Sequence, residues 1–177
     1  QGYSDYDHSQ TPTVGVLITN LGTPEAATAK ALRPYLKQFL WDPRVVEVPR
    51  PLWWLILNGI ILRVRPRRSA QAYQEVWTDR GSPLMYHTHD QAQALQQALR
   101  AKYGDSVMVA FAMRYGQPSI DTALESLLSS GVRKLIVLPL YPQYSAATTG
   151  STFDAIAHNF TSRRWLPDLR FISHYHD

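Results

Sequence analysis

The 177-residue chain contains no cysteine. That excludes a disulfide framework, a thiolate metal site and a thiol nucleophile, and it fits a reducing compartment. Charge is sparse at 18% of residues, and acids are the scarcer sign: 14 Asp and Glu against 18 Lys and Arg, a formal net charge of +4. That balance favours acidic ligands or an anionic surface without choosing among nucleic acid, membrane and carboxylate. Long apolar runs are missing too. The longest, Leu52–Leu62, is broken by Asn58 and Gly59 and falls well short of the about 20 residues that span a bilayer. Gln1–Gln10 is polar and has no apolar run of the secretory kind. Gly22 stands alone after an apolar run, so neither a dinucleotide fingerprint nor a phosphate-binding loop is present. What remains is 45% hydrophobic, enough for one globular domain with its own core.

Residues 1–11 read as a flexible polar arm and 12–177 as the domain. Val14–Thr19 is apolar and β-rich, the pattern of a buried strand. Thr23 and Pro24 then suit an N-cap and a first helical position, with a helix over Ala26–Leu40. Asp42-Pro43 breaks the chain. Pro51–Arg65 predicts a very apolar helix ended by Pro66, and Ser69–Trp77 a short one. Thr88-His89-Asp90-Gln91 has the form of a capping box opening a further helix. The second half alternates: strand Ser106–Met113, helix Ile120–Ser130, strand Lys134–Leu140, helix Phe153–Phe160, strand Leu169–Ser173. Alternation of this kind predicts an α/β domain, with a doubly wound, four-stranded parallel sheet and right-handed crossovers. Ligands of such sheets bind beyond the carboxyl ends of the strands.

Four groups of residues carry chemistry in this frame. Tyr141–Ser151, after the third strand, is rich in hydroxyls and leads into a helix. Free backbone N–H groups there suit a carboxylate, and two tyrosines offer flat surface to a planar ligand; plain helix capping explains one hydroxyl but not the cluster. Arg114, after the second strand, is placed to hold a carboxylate or is a surface arginine. The apolar Leu52–Leu62 segment followed by Arg63, Arg65, Arg67 and Arg68 fits an interfacial anchor on anionic lipid, an apolar lip around a flat acidic ligand, or a buried helix with a solvated end. No recognised nucleic-acid module accompanies those arginines. His174 and His176, two apart at a strand end, can share a face, but no carboxylate stands at a convincing spacing to complete a metal site.

Several of these segments resemble the ferrochelatase family. They are Asn20-Leu21-Gly22-Thr23-Pro24, Arg80-Gly81-Ser82-Pro83-Leu84, Arg114-Tyr115, and Leu140-Tyr141-Pro142-Gln143-Tyr144-Ser145 running on to Thr148-Thr149-Gly150-Ser151. The resemblance implies the N-terminal one of two similar Rossmann-like domains of the chelatase fold, with porphyrin held in the cleft between them. It implies insertion of ferrous iron, as substrate, into protoporphyrin IX in haem biosynthesis. Leu21, Leu36, Phe39 and Val45 match positions lining the apolar lip or the porphyrin face. Arg65, Arg68, Tyr73 and Ser82 match groups that bond the propionates. Arg114 and Tyr141 match pocket residues near the metal and the ring, and Thr148 joins them as a substrate-binding candidate. The family's catalytic histidine and its partner glutamate belong to the other half, so no catalytic residue is expected here and this chain alone is expected to be inactive. No cofactor is expected. Ala146 stands where some members place a cluster cysteine, so no iron–sulfur cluster is expected either. The implied setting is cytoplasmic, with peripheral membrane contact through residues 52–68 and no nucleic acid. The alternatives are a chelatase for another tetrapyrrole or metal, and a non-catalytic tetrapyrrole-binding or membrane-surface module.

Overall fold

Gly15–Thr19 is buried on both faces of its strand, the signature of a parallel strand covered by helices on two sides. The computed structural model describes residues 13–176. The expected polar arm at 1–11 lies outside them. The elements run β1 (Thr13–Gly22), α1 (Ala29–Trp41), α2 (Arg50–Ile56), α3 (Leu62–Val76), α4 (Pro83–Tyr103), β2 (Val107–Tyr115), α5 (Ile120–Ser129), β3 (Val132–Pro139), α6 (Ser151–Thr161) and β4 (Asp168–Phe171). A π-turn, Leu57–Ile61, joins α2 to α3, and a second, Ala146–Gly150, opens α6.

The four strands are parallel in the order β2-β1-β3-β4, as the alternation of the second half predicts. Side chains alternate across β1 with period two. Leu17 faces a core built with Leu124, Leu127, Leu128, Leu135, Val137 and Ile156, supplied by α5, β3 and α6. Val16 and Ile18 face the opposite layer, where α4 brings Ala92, Leu95 and Leu99. Leu17, Leu124 and Ile156 are fully shielded, and each such side chain contributes about 1.5–3 kcal/mol of burial. The connection from β1 leaves toward α4's face and that from β3 toward α6's face. The switch point of the topology therefore lies between the carboxyl ends of β1 and β3, where open sheets bind ligands.

Several expected boundaries move. The helix after β1 starts at Ala29, not Ala26: Thr28 Oγ1 accepts from Ala31 N at 3.3 Å, while Thr23 is buried and caps nothing. The capping box does not cap either. Thr88 is interior to α4, donating to the Leu84 carbonyl at 2.7 Å and accepting from Asn20 Nδ2 at 3.2 Å. The helix begins at Pro83, whose fixed φ suits a first position. Pro66 does not end its helix but lies inside α3. The π-turn just before it, in which Leu62 N bonds the Leu57 carbonyl, widens the ladder where the ring meets the preceding turn.

Gly22 closes β1 at φ +112°, and a Cβ there would lie 1.8 Å from the Tyr115 carbonyl oxygen. Gly22→Ala is expected to destabilise the domain by about 3 kcal/mol or more. Chemical denaturation checks this; a midpoint within error of the parent excludes the close approach of the β1 and β2 ends as a constraint on the fold.

Candidate functional site

The carboxyl end of the sheet is organised around one carboxylate. Asp42 caps the carboxyl end of α1, and its side chain is only 3% exposed. Its Oδ2 accepts from Arg114 Nη2 at 2.7 Å, Tyr115 OH at 2.8 Å and Ser151 Oγ at 2.5 Å. Its Oδ1 accepts from Arg44 N at 2.7 Å. Arg114 Nε also donates to the Ser151 carbonyl at 2.9 Å, and the guanidinium lies over the Tyr115 ring, 4.6 Å from its centroid. The Arg44 side chain forms a bidentate pair with Asp154 of α6. One acid thus ties together α1, the end of β2 and the start of α6.

Electrostatics follow from that geometry. Burial pushes the Asp42 carboxyl upward, but the bonds from Ser151, the Arg44 amide and Tyr115, with the Arg114 charge, prevail and hold it below its ordinary value. Burial pushes the Tyr115 phenol up to about 12, so it remains a donor. Burial likewise raises Tyr35 and Tyr141, which are neutral groups here rather than bases.

Beside the carboxylate lies an aromatic and aliphatic cluster supplied by α1, α2 and α3. Leu36 is buried in it, and Leu21, Phe39, Val45 and Tyr73 pack half-buried around it. Phe39 stands edge-on to Tyr115 at 5.1 Å, and Tyr35 edge-on to Tyr73 at 6.4 Å. Five buried hydroxyls at or beyond the ends of β1 and β3 have no hydrogen-bond partner: Thr19, Thr23, Tyr141, Thr149 and Thr152. Buried hydroxyls left unpaired are uncommon and mark places where a ligand or water completes the bonding.

The structure therefore brings together Leu21, Leu36, Phe39, Val45 and Tyr73 in one cluster. It places Arg114 and Tyr141 at the neighbouring strand ends. Thr148 is half-buried in the π-turn, its N–H donating to the Ser145 carbonyl at 3.3 Å. Arg65 and Arg68 project from α3, exposed, with no ion pair among the described residues. Ser82 is buried at the start of α4, its carbonyl accepting from Met85 N and Tyr86 N. The reading of Arg114 as a receptor for a ligand's carboxylate changes: the carboxylate it holds is the protein's own. Asp42 was not among the candidates, and Ser151 stood in the hydroxyl-rich segment after the third strand without a partner assigned to it. Asp42 is the sole acid between Glu25 and Glu47, but beside a proline it reads as a chain break. His174 and His176 lie beyond β4, exposed, with ring centroids 5.7 Å apart. No cluster of three metal-binding side chains occurs among the described residues.

These features define a doubly wound α/β domain with an aromatic, hydroxyl-rich surface at its switch point, the place where proteins of this class bind their ligands. The family model for ferrochelatase matches residues 13–177. The chain is 66% identical over its whole length to a ferrochelatase from Idiomarina loihiensis, 64% identical over 99% of its length to one from Marinobacter nauticus, and 58% identical over its whole length to one from Alcanivorax borkumensis. It belongs to the ferrochelatase family. It spans about half the length of these curated relatives, 49%, 48% and 52% respectively.

A depressed native pKa means that Asp42 contributes stability above its unfolded value, about 3.9. That contribution is lost as pH falls through the lower native value. Thermal melting of the parent is expected to lose more stability between about pH 5 and 2 than melting of Asp42→Asn, which is less stable at pH 7. Parallel acid profiles would show that this carboxylate is not a stabilising charge.

Proposed function

We propose that this chain is the porphyrin-holding half of a ferrochelatase, which inserts ferrous iron into protoporphyrin IX to form protohaem. The observation that carries the reading is the juxtaposition at the strand ends: a half-buried aromatic and aliphatic wall beside buried hydroxyls without partners, with unpaired Arg65 and Arg68 on the adjoining helix. Leu21, Leu36, Phe39 and Val45 supply the wall for the ring. Arg65 and Arg68, with Tyr73 and Ser82, are the candidate partners for the propionates, and Thr148 is a further substrate-binding candidate. Metal insertion needs two pyrrole protons removed and the ring bent so that its lone pairs face the ion. Holding the propionates at a distance can drive that bending at the centre. The buried phenols of the cluster are shifted upward and are no bases for those protons, and the histidine and glutamate that the family resemblance implies for that step belong to the other half. The chain alone should therefore bind without inserting. Iron is the substrate; no cofactor is invoked, and a cysteine-free chain supplies no ligand for an iron–sulfur cluster.

Anaerobic titration with protoporphyrin IX, then ferrous iron or zinc, separates the two steps by their spectra. Binding by the chain and insertion only by the complete protein are expected. In the complete protein, Arg65→Ala and Arg68→Ala are each expected to weaken porphyrin binding about tenfold, with little change in metal affinity. Arg114→Ala is expected to act chiefly on turnover. Unchanged porphyrin affinity in both α3 variants would remove these arginines from the site. A panel of other tetrapyrroles and of cobalt and nickel tests the related-chelatase alternative.

One observation favours a second role for the same region. Leu52, Trp54, Leu55, Ile60 and Val64 are each more than half exposed, from 53% to 66%; Arg63 and Arg65 flank Val64, and Arg67 and Arg68 follow. Among the described residues no helix is long and apolar enough to cross a membrane. An apolar face beside unpaired cations fits peripheral contact with anionic lipid, on a cytoplasmic protein and without nucleic acid. Cosedimentation with vesicles containing anionic lipid, lost in Trp54→Ser/Leu55→Ser and in high salt, is the expected result. Equal recovery on zwitterionic vesicles would remove the electrostatic part of this reading.

A further inference from the structure

The cation at the ends of the strands is withheld from the ligand. Arg114 is set into the strand ends beside the aromatic wall, its side chain 17% exposed, and Arg44, also at those ends, is taken up by Asp154. A guanidinium in such a place is a strong receptor for carboxylates. Yet Nη2 donates to Asp42 and Nε to Ser151, and one face of the guanidinium is taken by the Tyr115 ring. Asp42 cannot swing away to release it, because the Arg44 amide, Tyr115 and Ser151 hold the same carboxylate. Opening the pair would leave several buried donors unpaired at once. The pair is neutral as a unit. Arg65 and Arg68, by contrast, have no ion pair, so an acidic ligand meets free cations on α3 and none at the strand ends.

We propose that Asp42 is a positioning residue that masks Arg114 from the ligand's carboxylates, and thereby directs the acidic arms of a bound tetrapyrrole to Arg65 and Arg68. This deepens the chelatase reading and rests on it. Asp42 touches no substrate; it fixes which way round the ring lies. With the mask removed, Arg114 becomes a second receptor, and the ring can be held tightly in an orientation that does not react.

The test is a cycle in the complete protein, with protoporphyrin IX affinity read by fluorescence quenching and turnover by zinc insertion. In the parent, losing both Arg65 and Arg68 is expected to weaken binding about a hundredfold. In the Asp42→Asn background the same loss is expected to cost about tenfold or less, because Arg114 substitutes. Asp42→Asn alone is expected to keep porphyrin affinity within about threefold while kcat falls about tenfold or more. A role in packing alone moves affinity and turnover down together and leaves the arginine cost unchanged; that pattern, or no change in either parameter, overturns the proposal. Arg114→Gln provides a check that leaves Asp42 in place, should Asp42→Asn fail to fold. Its affinity ratio for protoporphyrin IX over the dimethyl ester is expected to equal the parent's, and a fall in that ratio overturns the mask. A parent protein that neither binds protoporphyrin nor inserts metal overturns the chelatase reading and this inference together. Insertion by the parent with an unchanged arginine cost in Asp42→Asn overturns this inference alone.

Discussion

A buried charge must be answered by its surroundings, and Asp42 is answered from three sides. Its carboxylate takes bonds from the loop after α1, from the last residues of β2 and from the first residue of α6. Taking a carboxylate and a guanidinium out of water is costly, so such a pair is weak evidence of added stability. What it imposes is geometry. Removing one partner strands the other, and each donor is held at one distance and angle. The Arg44–Asp154 pair on the outer side of the same loop fastens α6 to it a second time. The segments beyond β1, β2 and β3 are thereby held in one relative arrangement.

The rest of the site leans on that arrangement. Parallel strands with helices on both faces bring the connections after β1 and β3 apart in opposite directions, and the ends of the strands are left open between them. Gly22 lets the β1 end run against the Tyr115 carbonyl, which draws Tyr115 and Arg114 under α1. Phe39 then meets the Tyr115 ring edge-on, and the half-buried wall of Leu21, Val45 and Tyr73 continues from there. The hydroxyls of Thr19, Tyr141, Thr149 and Thr152 remain without protein partners. A flat ligand with polar edges fits a surface of that kind.

The second half of the chain was legible because its strands and helices are short and regular and alternate along the chain. Lys134–Leu140 and Ile120–Ser130 read nearly as they fold, with shifts of one or two residues at their ends. The first half was less legible. Thr23-Pro24 and Thr88–Gln91 both carry capping chemistry, but local signals state only what a cap would be made of. Thr23 was drawn into the buried turn at Gly22, and Thr88 was spent on Asn20 and the Leu84 carbonyl. Pro66 is a helix breaker in isolation; a π-turn one step earlier made room for it. Among the candidate residues, Phe39, Tyr73, Arg114 and Tyr141 could be named from motifs, whereas Asp42 could not. A buried acid is written with the same letter as a solvated one.

Composition and pattern alone determined that this is a cysteine-free α/β domain with a parallel sheet and the motifs of the ferrochelatase family, because periodicity, turn residues and local spacing are properties of the chain. Tertiary structure decided which charge answers which. Asp42 and Arg114 are 72 residues apart, and Asp42 and Ser151 are 109 apart. Only the folding of the sheet brings them within hydrogen-bond reach, and only there does burial turn a surface-type arginine into half of a neutral pair. The exposure of Trp54 and Leu55 beside the inward-facing Trp53 and Leu57 was decided the same way, by which side of an all-round apolar helix α1 happened to cover.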